Sequence, residues 1–192
     1  MDEKIKSYID SLKIEHIPWH RMFTAYGTAE IYGETLPILE RYDNVNEWKY
    51  AFDSISDFEH QSTMFQPAPF VLVFLVRILE KHLNSKTRTG DIIAQRLIDQ
   101  FRYYIEVCND AENMEHPQPL SNFSDMIDEK YLLSEECDED ELEEFFEDPD
   151  SIPDDLFYSF YYYSKAVLSQ VPDILDKYEK YAKESSELKN KF

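Results

Sequence analysis

The stretch from Pro67 to Leu83 constrains the fold more than any other part of the chain. Gln66-Pro67-Ala68-Pro69 is followed by an unbroken apolar run to Val76, and Ile78, Leu79 and Leu83 continue it. Proline is tolerated in a helix's first turn, where its missing N–H has no intrahelical partner. The pattern predicts a helix over about 69–83, apolar nearly all round, and such a helix belongs at the centre of a domain. The run 67–76 is far shorter than the roughly 20 residues that span a bilayer. The helix is therefore expected to be buried in protein, not lipid.

Other segments read as helices that cover it. Ile5, Tyr8, Ile9, Leu12 and Ile14 give helical spacing within 3–16. Pro18 starts a short helix through Trp19, Met22 and Phe23 that Gly27 ends. Thr28 reads as the N-cap of the next, with Ile31, Leu36 and Leu39 inward. Asn44 or Asn46 caps a helix carrying Trp48, Ala51, Phe52 and Ile55. Thr89-Gly90-Asp91 leads into a long helix to about 109, and Pro117 and Pro119 mark 110–124 as a loop. From Pro153 the spacing is helical through Leu156, Phe160, Tyr163 and Val167. Pro172 then begins a last helix with Ile174, Leu175, Tyr178 and Tyr181, beyond which a polar end is expected to fray.

No segment shows a convincing period of two. Three glycines in 192 residues are too few for the turns of an all-β fold. The expectation is an all-α single domain over 1–192, made of antiparallel helix pairs. Either an α-solenoid or an irregular helical bundle fits.

Charge is the second constraint. The net charge is −21, and residues 121–160 carry sixteen Asp or Glu against one base, Lys130. The acidity is thus local, in a segment at about 121–155. Leu132, Leu133, Leu142, Phe145 and Phe146 keep an amphipathic trace there, which fits short helices docked by one face, the alternative being a solvated surface or disordered insertion. Such a charge repels nucleic acid and anionic membranes and attracts basic partners in a salt-dependent way. Met1-Asp2-Glu3-Lys4 is no secretory leader, and two isolated cysteines, Cys108 and Cys137, are expected to be free thiols. A cytoplasmic location is expected.

Reactive chemistry finds little support. His16 and His20 are four apart, but Pro18 between them spoils a shared helical face, and no further metal ligands follow the zinc spacings. An EF-hand loop starting at Asp138 would need an oxygen ligand and a glycine where Leu142 and Glu143 stand. There is no Gly-x-Ser-x-Gly and no Gly-rich phosphate loop. No cofactor and no catalytic residue is assigned. The run Phe157 to Tyr163 is read as a helix, either with some rings exposed, a composition common at interfaces, or with its tyrosines packed in the core.

Four segments carry a resemblance. Ile17-Pro18-Trp19, Thr24-Ala25-Tyr26-Gly27-Thr28-Ala29-Glu30, His60-Gln61-Ser62-Thr63-Met64-Phe65 and Ala68-Pro69-Phe70-Val71-Leu72-Val73-Phe74-Leu75 follow in that order. The set resembles bacterial HEAT-repeat-like proteins, among them immunity proteins encoded beside polymorphic and contact-dependent toxins. It implies stacked α-hairpins without a catalytic centre. Ser62 stands where those proteins have glycine, and Gln66-Pro67 where they have Ala-Thr. By their residues, 26–28 and 60–63 read as structural corners between helices.

Together these readings predict an immunity protein, not an enzyme, that occludes a cognate toxin domain, a basic nuclease by charge. Asp138, Glu139, Asp140, Glu143, Glu144, Glu147 and Asp148 are the expected electrostatic contacts, with Phe145 and Tyr161 as anchors. The alternatives are a helical-repeat adaptor or scaffold for another basic protein and, last, a hydrolase.

Overall fold

The computed structural model describes residues 2–41 and 43–192. Its helices are α1 (Glu3–Ser11), α2 (Tyr32–Leu39), α3 (Val45–Asp53), α4 (Ala68–Ser85), α5 (Arg88–Glu112), α6 (Glu139–Glu147), α7 (Asp154–Leu168), α8 (Val171–Leu175) and α9 (Ala182–Lys189). Short 3-10 turns join several of them. A small antiparallel hairpin pairs β1 (Glu59–His60) with β2 (Thr63–Met64).

The apolar helix is central, as its composition demands. Helix α4 begins at the proline-led turn and buries thirteen of its residues, Phe70, Leu72 and Leu75 among them. Lys86 then adopts the left-handed conformation (φ 52°) and the Thr87 hydroxyl accepts the Gly90 N–H at 3.0 Å, so α5 starts at once. Gly90 makes this turn possible: a Cβ there would lie 2.8 Å from the His82 carbonyl oxygen. Helix α7 packs against both α4 and α5, closing a three-helix centre around Phe101, Phe160 and Tyr163. In a solenoid each repeat touches only its neighbours. The return of α7 onto α4 makes the fold an irregular bundle, the second of the two expected architectures.

The remaining helices cover this centre. Helices α2 and α3 pack on each other and on α4 and α5 respectively. Asn44 caps α3 as its sequence predicts, its side chain accepting the Asn46 N–H at 2.9 Å. Helices α8 and α9 pair, with Leu188 fully buried, and Asn109 on α5 donates to the Lys191 carbonyl at 2.9 Å. The polar end therefore docks instead of fraying. Nor does Pro172 open one last helix: α8 stops at Leu175, and a 3-10 turn at Glu179–Tyr181 precedes α9.

Two further expectations change. Thr28 does not cap a helix, because its backbone bridges Phe23 across a tight turn in which Thr24 N–H donates to the Gly27 carbonyl at 2.8 Å. Helix α2 consequently starts at Tyr32, and Ile31 faces solvent. The hairpin leaves no period of two in the sequence because each strand has two residues.

Its turn residues Gln61 (φ 52°) and Ser62 (φ 64°) are both left-handed, the arrangement that matches strand twist in two-residue hairpins. A side chain in this region costs about 1–2 kcal/mol, which glycine avoids. Glycine also loses more chain entropy on folding, by about 0.4–1 kcal/mol. Ser62→Gly is therefore expected to stabilise the protein by about 0.5–1 kcal/mol, read from urea unfolding. An unchanged or lower midpoint would show that the turn relaxes freely.

Candidate functional site

The acidic segment is ordered and tied to the bundle at three places. First, the 3-10 turn at Phe123–Ile127 buries Phe123 and Met126. Phe123 sits 5.1 Å, between ring centroids, from both Phe70 and Tyr163. The wholly buried Gln66 amide donates to the carbonyls of Met126 (2.9 Å) and Tyr131 (3.0 Å).

Second, Arg21 holds residues 129–135. Its Nε donates to the Leu133 carbonyl at 2.6 Å and its two terminal nitrogens grip both Glu129 oxygens at 3.0 and 2.6 Å. Glu135 accepts from Arg21 at 3.1 Å and meets His20 Nε2 at 3.0 Å. The Arg21 fork lowers the Glu129 pKa, and His20, then Arg21, lower that of Glu135. Planar two-point pairing of this kind fixes geometry as well as charge.

Third, α6 itself docks through aromatic rings. Asp138 caps it, accepting the Glu141 N–H at 3.0 Å. Phe145 lies 5.0 Å from Phe23 and Phe146 6.1 Å from the same ring. Phe23 in turn lies 5.9 Å from Phe160 on α7. Leu142 and Phe145 are half-buried on this seat. The carboxylates fall elsewhere by helical spacing: Glu139, Glu143 and Glu147 form one column, Asp140, Glu144 and Asp148 the next. These six and Asp138 are all exposed.

The density of like charge sets this stripe apart: residues 136–155 hold twelve Asp or Glu and no Lys, Arg or His. Several carboxylates elsewhere find cations, among them Glu40 with Lys81, Glu80 with Lys177 and Glu187 with Arg102. Among the described residues, no Lys, Arg or His lies within ion-pair distance of any carboxylate from 136 to 155. Glu139, Asp140 and Glu141 sit where the helix dipole favours negative charge, but Glu147 and Asp148 sit at its unfavourable end, with no base in the last turn.

The two expected anchors fall differently. Tyr161 is 6% exposed, and its hydroxyl accepts the Met64 N–H at 3.2 Å. It is largely buried, because α4, α5 and the 3-10 turn at Phe123–Ile127 pack on α7 and the hairpin reaches its hydroxyl, so it does not project as an anchor. Phe145 seats α6 instead of projecting from it. The exposed ring on α6 is Phe146, at 44%. Its place beside Phe145 in a helix with one apolar edge was the available signal.

The resembling segments meet in space. Tyr26, highly exposed, packs its ring edge-on to His60 at 4.9 Å, with its hydroxyl 3.0 Å from the His60 ring. Beneath them Asp57 accepts from Thr24 at 2.6 Å and from the Tyr32 hydroxyl. Burial, with the nearby Asp57 charge, pushes the Tyr32 pKa far up. These contacts tie the 23–28 turn to the hairpin.

Reactive groups are sparse. His16 and His20 end up on separate 3-10 turns. Among the described residues no three His, Cys, Asp or Glu are grouped to hold a metal. Cys108 and Cys137 are both free, and burial pushes the Cys108 thiol up to about 12. Among the described residues no helix is long and apolar enough to cross a membrane. No family model matches the chain, and neither a curated protein nor a solved structure does.

Proposed function

We propose that this chain is an immunity protein: it binds a basic toxin domain and neutralises it by laying α6 over the toxin's active-site cleft. The observation that carries this reading is the unpaired carboxylate stripe on an ordered, docked helix. Like charges at helical spacing repel, and acids at the helix C-terminus oppose its dipole. Placing lysines beside them, as at Glu40 and Glu80, would remove that cost. A basic partner removes it on binding.

The mechanism is charge substitution. A nuclease cleft arranges Lys and Arg for substrate phosphates, and carboxylates on α6 can take the same positions with short charge-assisted hydrogen bonds. Phe146 adds an apolar contact within the stripe. The resemblance to toxin-neutralising proteins supports the choice of partner, and the acidic field would speed encounter.

The test is co-purification with the product of the adjacent gene. Capture is expected at about 0.1 M salt and should fall steeply towards about 1 M, as the screening length shrinks from about 10 Å to about 3 Å. Absence of capture, or capture indifferent to salt, would sink the reading.

A further inference from the structure

A cavity of about 320 Å³ lies between the C-terminal end of α5, the hairpin turn and the first turns of α7. It is at the small end of ligand-pocket volumes, about 300–1,000 Å³, so it suits one long side chain better than a cofactor. Phe157, Tyr158 and Tyr161 give it aromatic walls. His116 stacks flat on Tyr158, 3.6 Å between centroids at 11°, which holds that wall rigid. Three exposed carboxylates, Asp110, Glu115 and Asp154, also line it. Among the described residues none of the three has a cation within ion-pair distance.

Aromatic faces beside unpaired carboxylates suit an organic cation. Guanidinium fits better than ammonium, because it is planar, stacks on rings and offers a fork of donors to carboxylates. The cavity is also joined to the acidic helix. Phe157 on its wall lies 6.2 Å from Phe160, Phe160 5.9 Å from Phe23, and Phe23 6.1 Å from Phe146. A single row of rings thus runs from the carboxylate stripe to the cavity.

We infer that this cavity receives an arginine side chain of the basic partner that α6 engages. The inference rests on the proposed function and adds an anchor to it. Arginine in a desolvated pocket is a common source of binding energy and would add to the charge pairs made by α6.

The probe is N-acetyl-argininamide, titrated into the isolated chain and followed by backbone amide NMR. Shifts are expected at Ser62, Val107, Met114 and Phe157, and the neutral isostere N-acetyl-citrullinamide should leave these amides unmoved. Replacing Asp110 and Asp154 together by asparagine should weaken the probe roughly tenfold, the worth of a charge-assisted hydrogen bond. Met114 is 68% exposed, so Met114→Lys should leave the fold intact while placing a cation of the chain's own at the cavity and suppressing the probe. Equal shifts with the citrulline probe, shifts confined to α6, or no shifts would overturn the inference. Those results would leave the function standing wherever the adjacent gene product is still captured in a salt-dependent way. Probe binding without such capture would overturn the function instead.

Discussion

Phe23→Ala is expected to destabilise the protein by about 3–5 kcal/mol, the usual cost of emptying a buried aromatic site. Phe23 is 1% exposed and touches the rings of Phe145, Phe146 and Phe160. Its removal takes away the seat of α6 along with part of the core. Helix α6 has nine residues and like charges along its length, so it has little reason to persist undocked. Amide exchange over 139–147 should therefore rise to the level of an unprotected segment, while α4 and α5 keep their protection relative to global unfolding. Phe145→Ala is the informative comparison. That ring is half-buried, so its loss should cost less overall yet free α6 equally. A small change in the denaturation midpoint for Phe23→Ala, or unchanged protection of α6, would show that the helix is held by other contacts.

Reversing Glu139, Glu143, Glu144 and Glu147 to lysine is expected to weaken capture of the partner at least about 100-fold, since close charge pairs across interfaces are worth upwards of 1 kcal/mol each. Neutralising Glu143 and Glu147 to glutamine should act in opposite directions on binding and on stability. Binding weakens, while the isolated chain gains a few tenths of a kcal/mol for each like-charge pair relieved. Affinity by calorimetry and stability by urea unfolding, both at low salt, check the two signs. Undiminished capture after the four reversals would remove α6 from the interface whatever the partner proves to be.

Helices with strong local patterns were legible from residues alone. Asn44 as a cap, the proline-led start of α4 and the long amphipathic α5 needed nothing beyond spacing and capping chemistry. What escaped depended on contacts between distant parts of the chain. Arg21 looks like any surface arginine until the carbonyl of Leu133 and the carboxylate of Glu129 close around it. Tyr161 sits in a run of rings whose inward members are decided by which helices surround α7, and three elements do. The left-handed Gln61 and Ser62 carry no glycine signal, so the hairpin is not legible from its residues. Within the candidate site, the acidic stripe was legible by charge and spacing. Its lack of internal cations was not, because pairing depends on where the lysines of other helices end up.

The clasp between Arg21 and the acidic segment joins residues 112 positions apart. Closing so long a loop has an entropic cost that is recovered only once the surrounding core exists. The carboxylate stripe should therefore be among the last parts to settle. A chain still being synthesised would hold Phe23 uncovered and lack the docked carboxylate stripe. The stripe would then arrive in one step, with the docking of a short helix onto a finished bundle, and a shortened product would lack it altogether.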